Sequence, residues 1–127
     1  MGTGGLGCSV ALACARLGVK KIILLDKDVV DISNLNRQLL FCHHDIGKPK
    51  ADQAKIRLEE NHKINPKMEV EAYTMCALEH WQTIVELSNQ ATVVFNCIDV
   101  GDNWDAAIAS LCMKKKLLCV MGGTFCQ

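Results

Sequence analysis

A run of closely spaced glycines at the start of the chain constrains its fold more than any other feature. Gly2, Gly4, Gly5 and Gly7 precede a helix-like stretch and a strand-like run that ends at Asp26, 19 residues beyond the last glycine. Glycines permit a tight turn and let backbone N–H groups approach phosphate oxygens, while the following helix directs its positive end at them. An acid at the end of the next strand can accept hydrogen bonds from ribose hydroxyls. The pattern therefore predicts a nucleotide-binding turn.

Helical and strand patterns alternate along the rest of the chain, which predicts an α/β, Rossmann-like fold with a mainly parallel sheet and helices on both faces. The predicted helices are 6–17, 49–62, 78–87 and 103–115, and the predicted strands are 21–25, 69–73, 91–97 and 117–121. A glycine turn of this kind normally follows a strand, so the first strand is expected to be missing. Residues 1–127 are predicted to be one nucleotide-binding domain, truncated at both ends.

The composition argues against several classes of function. Fourteen basic residues balance fourteen acidic ones, so we expect neither a nucleic-acid nor a membrane partner. Eight cysteines lack any Cys-x-x-Cys pair, which favours reduced thiols and a cytoplasmic, or also nuclear, location. The run Cys42-His43-His44 has no second cluster to complete a metal site, and we expect none there.

Three further groups of residues carry possible chemistry. Asn34 and Arg37 lie in a polar block after the predicted strand 21–25. An arginine can bind phosphate with two hydrogen bonds. Lys50, in an exposed first turn of the helix that Pro49 begins, would add a mobile positive charge for a polyphosphate. Asp99 ends a buried strand at the carboxyl edge of the sheet, where open α/β folds bind ligands and where a carboxylate beside phosphates commonly holds Mg²⁺.

The order of these motifs resembles a known family. Gly-x-Gly-Gly-Leu-Gly, Leu-Leu-Asp-Lys-Asp, Asp-Ile-Ser-Asn-Leu-Asn-Arg-Gln, Asp-Ile-Gly-Lys-Pro-Lys and Cys-Ile-Asp occur in this order in the chain. They are similar to the adenylation domain of ubiquitin-like-protein activating enzymes (E1) and to the bacterial adenylyltransferases of molybdopterin-synthase and thiamine-pathway sulfur carriers (the ThiF–MoeB type). The resemblance covers nearly the whole chain, and its Asn-Leu-Asn-Arg-Gln block looks most like eukaryotic E1 subunits.

The resemblance implies ATP-dependent adenylation of the C-terminal carboxylate of a ubiquitin-like modifier or sulfur carrier, the first step of E1 activation. It implies ATP and Mg²⁺ as cofactors and a homo- or heterodimer with another E1-type subunit. By the same resemblance, the four glycines, Asp26, Asn34, Arg37 and Lys50 bind ATP. Arg37, Lys50 and Asp99 act in catalysis, and Asp99 is linked to the magnesium through ATP.

Two alternatives remain open on the sequence. A Rossmann NAD-dependent dehydrogenase would use the glycines and Asp26 equally well, but it leaves Arg37, Lys50 and Asp99 unexplained. A non-catalytic E1-like subunit or fragment is the second alternative. The family's thioester cysteine and zinc-binding cysteine pairs have no match in the chain, because Cys126 lies too close to the last strand to be the transfer cysteine.

Overall fold

The computed structural model describes residues 1–60 and 65–122, over which four α-helices and four β-strands alternate. The elements are α1 (Gly5–Arg16), β1 (Lys21–Asp26), α2 (Lys50–Glu60), β2 (Glu69–Thr74), α3 (Trp81–Ser88), β3 (Val93–Asn96), α4 (Asp102–Lys115) and β4 (Leu118–Met121). Two short 3₁₀ turns, Ile32–Asn34 and His43–Asp45, lie between β1 and α2. The α/β class predicted from the alternation is confirmed.

The element boundaries follow the local signals with one clear exception. Gly18 has a φ of +83° directly after α1, which is the left-handed conformation expected at a helix stop. The prediction that α3 begins at Leu78 is wrong, because a turn precedes the helix. In that turn the Glu79 N–H donates to the Cys76 carbonyl at 3.2 Å. The predicted end of α2 at His62 lies outside the described residues, as does Cys126.

The strands form two parallel pairs. β1 pairs with β2 in register from Lys21–Glu69 to Asp26–Thr74, and β3 pairs with β4 from Val93–Leu118 to Asn96–Met121. Among the described strands, neither pair is bonded directly to the other. The carboxyl ends of all four strands nevertheless lie at one edge of the molecule, where the predicted site residues are concentrated.

The first two residues join the two strand pairs. The Met1 amino group donates to the Phe95 carbonyl at 2.9 Å, and the Cys97 N–H donates to the Met1 carbonyl at 2.9 Å. On the other side, the Gly2 N–H donates to the Leu25 carbonyl at 2.8 Å. The start of the chain therefore lies between the carboxyl ends of β1 and β3 in a parallel arrangement.

Apolar side chains are buried on both sides of β1. Leu24 packs with residues of α1 and α2, whereas Leu25 packs with residues of α3 and α4. Successive side chains of a strand point to opposite faces, which explains the continuous apolar run of this strand. The helix α1 buries only small residues, Cys8, Ala11 and Ala15, and this lets it approach the sheet closely. None of the helices in the described ranges is long and apolar enough to span a lipid bilayer.

Candidate nucleotide site

A cavity of about 230 Å³ lies at the carboxyl ends of β1 and β3. Five residues predicted from the sequence line it: Gly2, Gly4, Asp26, Lys50 and Asp99. The structure thus brings together residues as distant in the chain as Gly2 and Asp99. This convergence is what parallel strands produce, because their carboxyl ends meet at one edge.

The glycine loop has almost no room for side chains at two of its positions. Gly2 has a φ of +80°, and a Cβ added there would lie 2.7 Å from the Cys97 carbonyl oxygen. A Cβ on Gly7 would overlap the carbonyl oxygen of Gly2. Gly4 is the residue before α1, and it lines the cavity, so the positive end of the helix lies beside the cavity.

Asp26 holds the loop in place through its carboxylate. One oxygen, Oδ2, accepts hydrogen bonds from the Thr3 N–H at 2.7 Å and from the Thr3 hydroxyl at 2.9 Å. The other oxygen, Oδ1, accepts from the Asp28 N–H at 2.9 Å. A carboxylate has about four acceptor positions, so Asp26 can position the glycine loop and still accept from a ligand hydroxyl.

Lys50 lies deeper than the sequence suggested. The prediction of an exposed first turn is wrong, because Lys50 is only 7 % exposed. The segment before it folds over the site: Pro49 forms an antiparallel bridge with Val29, and the Lys50 N–H donates to the Asp28 carbonyl at 2.9 Å. The Lys50 Nζ lies 3.8 Å from the Asp28 Oδ2 and faces the cavity together with it.

Asn34 and Arg37 do not line this cavity. Asn34 is buried, and its Oδ1 accepts from the Asp31 N–H at 3.1 Å, so its side chain stabilises the 3₁₀ turn. Arg37 is exposed and donates from Nη1 to the Ser33 carbonyl at 2.8 Å. Its side chain nonetheless runs beside Gly5, where an added Cβ would lie 3.5 Å from the Arg37 Cγ. Arg37 therefore lies next to the start of α1, at the margin of the site.

Asn96 is a positioning residue that the sequence analysis missed. Its buried side chain donates to the Asp105 Oδ1 at 2.6 Å and accepts from the Trp104 indole N–H at 3.0 Å. These bonds attach the end of β3 to α4, three residues before Asp99. The position of an asparagine at the end of an apolar run was a usable signal, since a buried amide needs polar partners.

The segment 75–78 forms a wall of the cavity that no motif indicated. Met75, Cys76, Ala77 and Leu78 all line it, directly after the end of β2. The only signal in the sequence is their place after a predicted strand, at the edge where ligands bind. Their apolar character gives the cavity a surface suited to the flat face of a base.

Cys42, at the start of the Cys42-His43-His44 run, lies in a hydrogen-bonded cluster with Asp45 and Arg57. Arg57 donates to both carboxylate oxygens of Asp45 and to the Cys42 Sγ at 2.9 Å. Burial opposes ionisation of Asp45, but the Cys42 N–H and the Arg57 guanidinium outweigh it and hold the pKa of the carboxyl below its usual range. Within residues 1–60 and 65–122 no group of three or more His, Cys, Asp or Glu side chains could hold a metal ion.

A family model matches nearly the full length of the chain, and individual relatives match parts of it. A model of the ThiF family matches residues 1–126. A molybdopterin-synthase adenylyltransferase of Haemophilus influenzae is 38% identical over 99 residues, which are 78% of this chain and 39% of the relative. A tRNA threonylcarbamoyladenosine dehydratase of Bacillus subtilis is 48% identical over 75 residues, 59% of this chain and 28% of the relative. The catalytic subunit of a NEDD8-activating enzyme E1 of Saccharomyces cerevisiae is 49% identical over 55 residues, which are 42% of this chain and 18% of the relative.

The fold is also similar to that of solved structures. The Escherichia coli protein MccB in a crystal structure with ATP superimposes with a TM-score of 0.82 and 27% identity, covering 97% of this chain and 36% of that one. The chain thus spans between about a fifth and two fifths of the length of these relatives.

Proposed function

Because the chain belongs to the ThiF family, we propose that it forms the ATP-binding part of an enzyme that adenylates the C-terminal carboxylate of a ubiquitin-like or sulfur-carrier protein. The observation that carries this proposal is the convergence of Gly2, Gly4, Asp26, Lys50 and Asp99 on one cavity. The glycine turn, the start of α1, the buried lysine and the carboxylate of Asp99 together suit a nucleoside triphosphate. A dehydrogenase would need only the glycine turn, the start of α1 and Asp26.

In the proposed reaction a carboxylate oxygen of the substrate attacks the α-phosphorus of ATP. The bond from that phosphorus to the oxygen bridging the α- and β-phosphates breaks, and pyrophosphate leaves with the electron pair. The product is an acyl adenylate, and no side-chain nucleophile takes part. The chain contributes positioning and charge stabilisation: Lys50 faces the phosphates from inside the cavity, Arg37 lies at the start of α1, and Asp26 orients the ribose.

Magnesium is part of the proposal, and the cavity has donors that fit it. Asp99 and Asp28 both line the cavity with exposed carboxylates, and Mg²⁺ prefers oxygen ligands supplied by one or two carboxylates together with phosphates. The ion would supply charge balance for the departing pyrophosphate. Asp99 is the residue that we expect to hold it through ATP.

The partners follow from the same proposal. The substrate is a protein with a free, extended carboxyl terminus, and a second E1-type subunit is expected to complete the enzyme as a homo- or heterodimer. Thioester transfer is not assigned to any cysteine of this chain. A cytoplasmic location remains a prediction from the cysteine content.

The sharpest test compares two lysines that are two positions apart. Lys48 is exposed, whereas Lys50 is buried in the cavity. We expect Lys50→Met to lower ATP–pyrophosphate exchange in the presence of a ubiquitin-like protein about 30-fold, since one charge-assisted hydrogen bond is worth about 2 kcal/mol. Lys48→Met is the matched control and should retain the exchange rate. Equal rates in a folded Lys50→Met variant would remove this residue from the phosphate site.

The Bacillus relative's name supplies a second candidate substrate, a tRNA that carries threonylcarbamoyladenosine. Exchange of pyrophosphate that depends on modified tRNA, and not on a carrier protein, would favour that candidate. Thermal stabilisation by NAD that exceeds the stabilisation by ATP with Mg²⁺ would contradict both and restore the dehydrogenase alternative.

A further inference from the structure

The cavity at the carboxyl ends of β1 and β3 contains more acidic than basic side chains. Its charged groups, among the residues that the structure describes, are three carboxylates and two ammonium groups: Asp26, Asp28, Asp99, Lys27 and Lys50. The start of α1 adds about half a positive charge, so the charges around the cavity nearly cancel. A metal-free nucleoside triphosphate carries several negative charges, and the cavity has no positive excess to balance them.

The ammonium group of Lys50 is paired with a single carboxylate. The Lys50 side chain is 8% exposed, and its Nζ lies 3.8 Å from the Asp28 Oδ2. That distance is too long for a hydrogen bond, and within residues 1–60 and 65–122 this ammonium group makes none. An ammonium group has three N–H donors, so Lys50 has donors to spare for an oxygen-rich ligand in the cavity.

Asp28 lies between the two lysines of the cavity. Its Oδ1 is 3.9 Å from the Lys27 Nζ, while its Oδ2 faces Lys50. The main chain of Asp28 shapes the loop: its N–H donates to the Asp26 Oδ1 at 2.9 Å, and its carbonyl accepts from the Lys50 N–H. The carboxylate itself is 55% exposed and makes only the two ion pairs in the described part of the chain. It therefore contributes to the charge of the cavity and not to the shape of the loop.

A phosphate group that approaches Lys50 must also come close to Asp28. The carboxylate, 3.8 Å from the ammonium group, competes with the phosphate for the same cation and repels it. A divalent cation reverses this effect, because it binds carboxylate and phosphate oxygens together. With the cation present, the phosphates would no longer compete with Asp28 for the two lysines.

We propose that Asp28 is a specificity-determining residue that makes the binding of a nucleoside triphosphate depend on a divalent cation. This inference rests on the proposed function and concerns the same cavity. Without the cation, Asp28 pairs with Lys27 and Lys50 and opposes entry of the phosphates. With the cation, the same carboxylate favours their entry. Asp99 has a different setting, since it follows β3 and forms no ion pair within the described ranges.

The test measures the affinity for ATP by calorimetry, once with excess Mg²⁺ and once with excess EDTA, in the original chain and in Asp28→Asn. We expect the substitution to tighten metal-free binding about tenfold, because it removes one partly exposed negative charge beside the phosphates. Binding with Mg²⁺ should stay the same or weaken. The ratio of the metal-free to the Mg²⁺ dissociation constant should therefore fall at least about tenfold, whereas a purely structural role would shift both constants by the same factor.

Two further variants serve as controls. Asp52→Asn removes the same charge from the first turn of α2, at an exposed residue that does not line the cavity. It should leave the ratio of the two constants unchanged. Asp28→Glu restores the carboxylate on a longer side chain and should retain the dependence on the cation. Thermal melting without nucleotide checks that each variant is folded.

The possible outcomes separate this inference from the proposed function. An unchanged ratio in folded Asp28→Asn would overturn the inference alone, as would an equal fall of the ratio in Asp52→Asn or in Asp28→Glu. If the original chain bound ATP under neither condition, the proposed function and this inference would both be contradicted.

Discussion

The strand pairs β1–β2 and β3–β4 hold their site residues at the same edge by different means. β1 is packed on both faces, since Leu24 and Leu25 are both buried on opposite sides. On β4, by contrast, Leu118 is 61% exposed and Val120 is 40% exposed. Double-sided apolar packing therefore supports Asp26, at the end of β1. The end of β3 depends on a polar anchor instead.

That anchor is the side chain of Asn96, which bonds to Trp104 and Asp105 of α4. A fully bonded buried amide specifies one arrangement, because leaving any of its groups unpaired is costly. The comparison indicates that the end of a strand can be supported by apolar burial on both faces or by a few hydrogen bonds to a neighbouring helix. We expect the second means to tolerate less change near the site, because each unpaired group of a buried amide is costly.

The largest effect should come from opening the apolar core under β1–β2. Leu58 is fully buried in the cluster that covers this pair, whereas Leu118 is mostly exposed. We expect Leu58→Ala to lower the free energy of unfolding by about 3 kcal/mol, through lost burial and a residual cavity. Leu118→Ala should change it by less than about 0.5 kcal/mol. Urea unfolding of both variants measures the difference.

A loss at Leu118 as large as that at Leu58 would contradict the comparison. It would mean that β4 is covered in solution, by a second copy of the chain or by another part of the same chain. Repeating the measurement at several protein concentrations separates these two cases, since only the first depends on concentration.

An intermediate effect is expected where the two strand pairs meet, at the glycine loop. A Cβ on Gly7 would overlap the Gly2 carbonyl, whereas the nearest neighbour of a Cβ on Gly4 is 4.0 Å away, at Gln38. We expect Gly7→Ala to destabilise the chain by about 2 kcal/mol and to weaken ATP binding. Gly4→Ala should cost about 0.5 kcal/mol as a change of helix cap. Similar melting temperatures for the two variants would show that the loop can move aside.

The smallest effect should be a dependence of stability on pH from the buried amino group of Met1. Burial lowers its pKa in the native state below the ordinary value of about 8. The unfolded chain then binds a proton that the native chain does not. Stability is therefore full above about pH 8 and falls as the pH is lowered from there through the native pKa.

The control for the pH experiment is the chain extended by Gly-Ser-Gly-Ser before Met1, in which the free amine no longer lies at Phe95. Its stability should lose this component of the pH dependence. Denaturant unfolding between pH 9 and pH 6 compares them. Parallel curves for the two chains would show that the amine is not buried in solution.

Much of the fold could be predicted from the sequence because its signals are local. Apolar runs and helical periods place all eight elements, and glycine marks the end of α1. The convergence of Asp26 and Asp99 also follows, since parallel strands end at one edge. The burial of Lys50 could not be predicted, because it depends on the bridge between Val29 and Pro49. The apolar wall 75–78 could not either, as it is a turn without a motif.

The polar block that contains Asn34 and Arg37 shows what the spacing of residues along the chain cannot predict. That Asn34 and Arg37 bind ATP stays a prediction: neither lines the cavity, and Asn34 uses its carbonyl oxygen to hold the 3₁₀ turn. A motif identifies which residues a family retains, but not whether each one touches the ligand or shapes the loop that does. That distinction depends on distances of a few ångströms, which spacing along the chain does not contain.

The contact between Gly2 and Gly7 makes the glycine loop a spacer of fixed length. Its far end is the start of α1, whose residues Cys8 and Ala11 lie in the core. Removing one residue between the two glycines would rotate the helix by about 100° and move it by about 1.5 Å along its axis. Those small side chains would leave the core, and larger ones would enter. The loop can therefore change its composition at Gly4 far more easily than it can change its length.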